Sequence, residues 1–162
     1  MKAAVIYYSL EGNTKYAAQK IAQKLGADLL ELMPVKAYPT GKASKYIVGG
    51  KAVLVKERPK LREYVFVPEK YDLVVLGTPV WAGSFAPPLR TFVSEQNLSQ
   101  KAVGLFTCSA SGNGQKCMQK LMEALGISSM KAELNLVNPA KEQTQGDNEK
   151  IEAFCDQLVS NG

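Results

Sequence analysis

The sequence predicts an α/β fold in which a five-stranded parallel sheet carries helices on both faces. Three observations lead there. Five apolar segments of strand length alternate with stretches of helical periodicity. These segments are near-continuous in apolar character, as expected of strands buried on both faces. The loops after the first, third and fourth segments, Ser9 to Thr14, Gly77 to Ser84 and Thr107 to Gly114, are rich in Gly, Ser, Thr and Asn. In such sheets ligands bind beyond the carboxyl ends of the strands, so these loops form the expected working surface. At 162 residues the chain fits a single domain, 1–162, able to bury a core without disulfide or metal staples.

The first strand is the apolar run Ala3 to Tyr8. Tyr16, Ala17, Ile21, Ala22 and Leu25 then recur at helical spacing, with Asn13 or Thr14 placed to cap the helix and Gly26 to stop it. Asp28 to Met33 is the second strand, closed by Pro34. Between Pro34 and Pro68 the pattern is weakest. A helix between Lys42 and Glu57 fits its apolar residues, although each member of the Gly49–Gly50 pair costs a helix about 1 kcal/mol. Leu73 to Leu76 is the strongest strand and is expected to end at Gly77. Pro87 and Pro88 suit the first turn of the next helix. Ala102 to Phe106 is the fourth strand, and the helix lined by Cys117, Leu121, Met122 and Leu125 ends at Gly126. Met130 to Val137 is the last strand, and Glu149 to Val159 a final amphipathic helix. The polar run Lys141 to Asn148 is the one candidate linker.

Composition narrows the chemistry. Histidine is absent, which excludes Ser-His-Asp and Cys-His catalytic sets and the common histidine-based zinc sites. Cys108, Cys117 and Cys155 are an odd number and read as free thiols of a reducing, cytoplasmic compartment. No apolar run approaches 18 residues and no signal-peptide pattern opens the chain, so neither a membrane span nor secretion is expected. The net charge is +5, yet Lys36 to Lys70 alone carries nine basic and three acidic residues, +6, leaving −1 for the remainder. A nucleic-acid binder would interleave such a patch with aromatics or supply a recognition helix. The preferred reading is a solvated basic face, or one that attracts an acidic partner, and no nucleic-acid role is expected.

The first loop, SLEGNT, places short polar side chains and a turn-permitting Gly12 ahead of a helix. The free N–H groups and positive end of that helix suit a phosphate. The loop has neither the spacing nor the Gly-Lys-Ser/Thr ending of a Walker motif, and its single glycine is not a dinucleotide fingerprint. A monophosphate fits better, and a plain helix cap remains the alternative. In the second loop, Trp81 is the only tryptophan and is flanked by Pro and Gly. It offers a large face for stacking on a planar heterocycle, or alternatively seals the sheet end. The third loop offers small side chains and backbone donors to the edge of the same ring. Cys108 in that loop reads as a small buried filler rather than a redox thiol. A phospho-receiver would need an aspartate where Gly77 and Thr78 stand, and a low-molecular-weight phosphatase a cysteine and an arginine around the first loop. No acidic pair sits at a strand end for Mg²⁺. No metal site is expected. A monophosphate plus a planar ring survives.

The stretches VIYYSLEGNTKYAAQKIA, YDLVVLGTPVWAGSFAPPLRTF and AVGLFTCSASGNG resemble the phosphate loop and the two flavin-flanking loops of the flavodoxin family, and of its short-chain members in particular. The resemblance follows nearly the whole chain in order and is weakest over Lys36 to Val67. It implies a flavodoxin-like three-layer sandwich with strand order 2-1-3-4-5 and non-covalent FMN. By position, Ser9, Leu10, Glu11, Gly12, Asn13 and Thr14 would surround the phosphate. Thr78, Pro79, Val80, Trp81, Ala82 and Gly83 would form the second flavin loop, with Trp81 flanking the ring and Ala82 and Gly83 near flavin N5. Cys108, Ser109, Gly112, Asn113 and Gly114 would line the far side. Two departures stand out. Glu11 replaces the usual Thr or Ser, and is expected to turn outward and contribute only its N–H. The positive net charge contrasts with the acidity of electron-carrying relatives. No side chain near these loops is needed as an acid or base, so no catalytic residue is assigned. The implied function is FMN-dependent electron transfer with a redox partner protein or a small-molecule donor or acceptor. An NAD(P)H-dependent FMN or quinone reductase, and an interaction module without FMN, stand as alternatives.

Overall fold

The computed structural model describes residues 1–160. It contains six strands: β1 (Ala3–Tyr7), β2 (Asp28–Glu31), β3 (Leu73–Trp81), β4 (Ser84–Phe85), β5 (Ala102–Ser109) and β6 (Ala132–Val137). Five of them pair in parallel in the order β2-β1-β3-β5-β6. Counting parallel strands alone, this is the expected 2-1-3-4-5 order. The added strand β4 pairs antiparallel with the end of β3.

Both faces of the central sheet are covered, which is why β1, β3 and β5 read as near-continuous apolar runs, whereas the edge strands β2 and β6 are partly exposed and carry polar residues. Ala3, Val5 and Tyr7 of β1 and Leu73 and Val75 of β3 pack on Ala17, Ala18 and Ile21 of α1 (Asn13–Leu25). The same layer holds Ile151, Phe154 and Leu158 of α6 (Gln145–Val159). The alternate residues Ala4, Ile6, Val74 and Leu76 pack on Leu89 and Phe92 of α3 (Pro87–Glu95) and on Cys117, Met118 and Leu121 of α4 (Gln115–Leu125). Two further helices, α2 (Lys42–Leu54) and the short α5 (Pro139–Glu142), lie beside the carboxyl ends of the strands. All three cysteines are free and buried. Among the described residues, no helix is long and apolar enough to cross a membrane.

Several local expectations are corrected. Neither Asn13 nor Thr14 caps α1; the cap is Gly12 at φ 99°, with no side-chain hydrogen bond. Asn13 Oδ1 accepts instead from the Ala140 N–H of α5, at 3.1 Å. β3 does not end at Gly77 but runs on to Trp81. Gly77 is a matter of packing and not of a turn, because a Cβ there would overlap the Phe106 ring. Pro79 is tolerated because β1 ends opposite Gly77, leaving β3 without that neighbour farther on. The second loop is therefore a hairpin. Ala82 and Gly83 link Trp81 to Ser84 with φ of 47° and 69°, the left-handed pair that tight two-residue hairpins require. The Lys141 to Asn148 run is not a linker. It spans the end of α5 and the start of α6, where the Thr144 hydroxyl accepts from the Asp147 N–H at 3.1 Å and caps the helix.

Candidate functional site

At the carboxyl edge of the sheet the first and second loops, the end of β5 and the helix α2 enclose a cavity of about 410 Å³. That is within the range of about 300–1,000 Å³ typical of small-molecule sites. Its walls include Ser9, Leu10, Glu11, Asn13 and Thr14 from the first loop, Pro79, Val80, Trp81 and Ala82 from the second, and Cys108 and Ser109 from the third. Residues of all three loops thus meet in one place.

The first loop is built around Gly12. Its left-handed φ turns the chain into α1, and its N–H donates to Ser9 Oγ at 3.1 Å. Its carbonyl accepts the first helical bond, from Tyr16 N–H. With no side-chain cap, the N–H groups at the start of α1 are open to a ligand, and the helix adds its positive end. Asn13 lines the cavity with its oxygen committed to Ala140, which leaves its amide nitrogen as the donor it can offer. This donor set suits an anion.

The second loop presents an aromatic wall. Trp81 meets Tyr8 and Tyr38 edge to face, with ring centroids 5.6 and 5.1 Å away. Behind it, a Cβ on Gly49 would come within 3.2 Å of the indole. The glycine that weakened the helical reading of α2 is the residue that lets the helix backbone approach Trp81. The Tyr38 hydroxyl donates to Glu57 at 2.6 Å, and burial with that carboxylate drives the Tyr38 pKa well up. Tyr8 is likewise driven up by burial. Both stay neutral over the physiological range.

Cys108 lies under the first loop with its sulfur near Thr14. Burial pushes its pKa from 9.0 up to about 12, so it is a packed thiol and not a nucleophile. Thr78 is fully buried and holds the hairpin: its hydroxyl accepts from Ala86 N–H at 2.9 Å and donates to the Pro79 carbonyl. Gly12, Thr78, Gly83, Gly112, Asn113 and Gly114 are off the cavity wall. Gly112 supports the third loop through its N–H, which donates to Ser109 Oγ at 2.8 Å. Gly114 sits where a Cβ would overlap Thr107 and Asn135.

The structure adds residues to those assigned from the family resemblance. Lys45, Tyr46, Gly49 and Gly50 of α2, Ala110 and Ser111 of the third loop, and Asn138 all line the cavity. Asn138 directly follows β6 with φ 40°, so the position rule used for the other strands would have found it. Nothing local marks Lys45. Glu11 is also corrected: it is half exposed, but its carboxylate turns onto Lys45 at the cavity wall instead of pointing away.

Comparison with known proteins places this geometry. A family model described as flavodoxin matches residues 2–151. A protein from Bacteroides eggerthii, provisionally assigned as a flavoprotein, is 25% identical over 99% of both chains, with a TM-score of 0.79. A flavoprotein from Lactobacillus acidophilus, solved in complex with FMN, is 21% identical over 88% of this chain and 96% of its own, with a TM-score of 0.73. Oxidised flavodoxin 1 from Bacillus cereus is 18% identical over 100% and 99%, with a TM-score of 0.62.

Proposed function

The chain belongs to the flavodoxin family, and from that premise we propose that it is an FMN-dependent electron carrier. One observation supports this above the rest. The uncapped start of α1 and the half-buried Trp81 line the same cavity, one suited to a phosphate and the other to a planar ring. FMN has both parts.

In this reading the phosphate takes hydrogen bonds from the first-turn N–H groups of α1, the Ser9 and Thr14 hydroxyls and the Asn13 amide. Charge-assisted bonds of this type each contribute about 1.5–3 kcal/mol. Trp81 flanks the ring, and the Ala82–Gly83 turn brings backbone close to its edge. Ser9, Leu10, Asn13, Thr14, Pro79, Val80, Trp81, Ala82, Cys108 and Ser109 thus act as binding residues, while Gly12, Thr78, Gly83 and Gly112 to Gly114 shape the loops that carry them. Bound FMN supplies the redox chemistry itself. The chain's part is placement and field, and none of its side chains at the site is needed to move a proton. Buried free thiols fit a reducing, cytoplasmic setting, and the partner is a redox protein or a small donor or acceptor.

The test is direct. The FMN-loaded protein should bleach with dithionite in the absence of oxygen, recover its colour on adding an electron acceptor, and oxidise NADH or NADPH no faster than free FMN does. Rapid NAD(P)H turnover with a quinone would make it a reductase. Failure to retain FMN would leave a fold used only for interaction.

A further inference from the structure

The helix α2 brings a cation to a place where the phosphate loop itself supplies none. Among the described residues there are four ion pairs. In three of them the lysine side chain is 45–55% exposed. Lys45 is the exception at 18%, and its partner Glu11 is 50% exposed. The lysine side chain is therefore largely covered at the cavity wall, with its ammonium also over the Tyr46 ring, while the carboxylate stands half in water. Both line the same cavity as Asn13 and Thr14, where the uncapped N–H groups of α1 begin.

We propose that Lys45 is the counter-cation of the FMN phosphate, and that Glu11 holds it in position until the phosphate takes its place. This rests on the FMN reading above. A carboxylate carries one negative charge and a phosphate close to two, with three acceptor oxygens, so the phosphate is the stronger partner for an ammonium. Glu11 is exposed enough to swing into water once released. Without that exchange a carboxylate and a phosphate would share one helix terminus with no cation between them. Lys45 thus resolves the departure that Glu11 represents: the pair stores the charge that the ligand needs. Glu11 in turn competes with FMN and lowers its affinity.

The experiment compares FMN and riboflavin, which differ by the phosphate, in fluorescence-quenching titrations of the wild type, Lys45→Gln, Lys45→Arg and Glu11→Gln. Lys45→Gln should weaken FMN binding about 10- to 100-fold, equivalent to about 1.4–2.8 kcal/mol at tenfold per 1.4 kcal/mol. Riboflavin binding should stay within about threefold, since the ring site is untouched. Lys45→Arg should restore most of the FMN affinity, and Glu11→Gln should raise it severalfold with riboflavin unchanged. A wild type that prefers FMN, together with a Lys45→Gln variant that keeps the full preference, would overturn the role of Lys45 and leave the FMN site standing. Equal affinities for the two flavins in the wild type would overturn both. Should Lys45→Gln not fold, the Glu11→Gln arm decides: unchanged or weaker FMN binding overturns the exchange.

Discussion

Single residues at this site serve both fold and ligand, and Trp81 shows it best. Its edge-to-face contacts with Tyr8 and Tyr38 each contribute about 0.5–1.5 kcal/mol. Trp81→Ala should therefore destabilise the apoprotein by about 1–3 kcal/mol and also weaken FMN binding by about 1–3 kcal/mol from lost apolar contact. Urea unfolding and flavin titration separate the two effects, and an unchanged FMN dissociation constant would remove Trp81 from the flavin. The buried thiols make a second prediction. Cys108 and Cys117 are both raised by burial from 9.0 to about 12. Below pH 9 they are protonated in folded and unfolded chains alike. Above it the unfolded chain loses protons that the folded one keeps, so stability falls as pH rises from about 9 towards 12, by up to about 1.4 kcal/mol per pH unit per thiol. The urea midpoint should drop over pH 9–11, and more shallowly in Cys117→Ala. At this scale the sequence was legible where a residue acts within its own loop, as Gly12 does in turning the chain into α1 and donating its N–H to Ser9 Oγ. It was silent on Lys45, because that side chain acts on Glu11, 34 residues away.

Among the elements, α2 is the instructive one. Its exposed apolar residues Tyr46, Ile47 and Leu54 blur the amphipathic pattern on which a helix is recognised. Its two glycines then weaken the pattern further, for different reasons. Gly49 is held to glycine by the indole of Trp81, whereas a Cβ on Gly50 meets no atom within 4 Å. Gly50→Ala should thus stabilise the apoprotein by about 0.5–1 kcal/mol, the ordinary helix gain. Gly49→Ala should gain less or lose, because its neighbour must give way, and thermal unfolding of the pair distinguishes them. Strands were legible where both faces are buried. β3 was read short because Gly77 and Pro79 look like punctuation. In the fold, one makes room for Phe106 and the other lies past the end of β1.

At the scale of the whole molecule, alternation and crossover handedness narrowed the sheet to a few doubly wound orders, and the resemblance of the three loops to the flavodoxin family supplied the one that the fold has. The charge asymmetry was equally plain, and the structure gives it a position: the basic segment contains α2, which walls the cavity. Lys45 is paired with Glu11, but the exposed Lys42 and Lys51 on the same helix remain. One positive charge about 10 Å from the ring in water-like screening contributes about 0.4 kcal/mol. A few together approach about 1 kcal/mol, or about 40 mV for one electron. The second one-electron reduction of bound FMN should therefore lie above that of acidic flavodoxins and fall as salt is added, because the Debye length is only about 8–10 Å. Spectroelectrochemistry at two ionic strengths checks this, and a low, salt-insensitive potential would return the basic face to solvent or docking. The central claim is that one cavity holds a phosphate at the start of α1 and a ring beside Trp81. Its most direct test is the ratio of dissociation constants of the wild-type protein for riboflavin and FMN, from fluorescence quenching in one buffer. Two charge-assisted bonds to the phosphate predict FMN tighter by at least about 100-fold; equal constants would contradict the account.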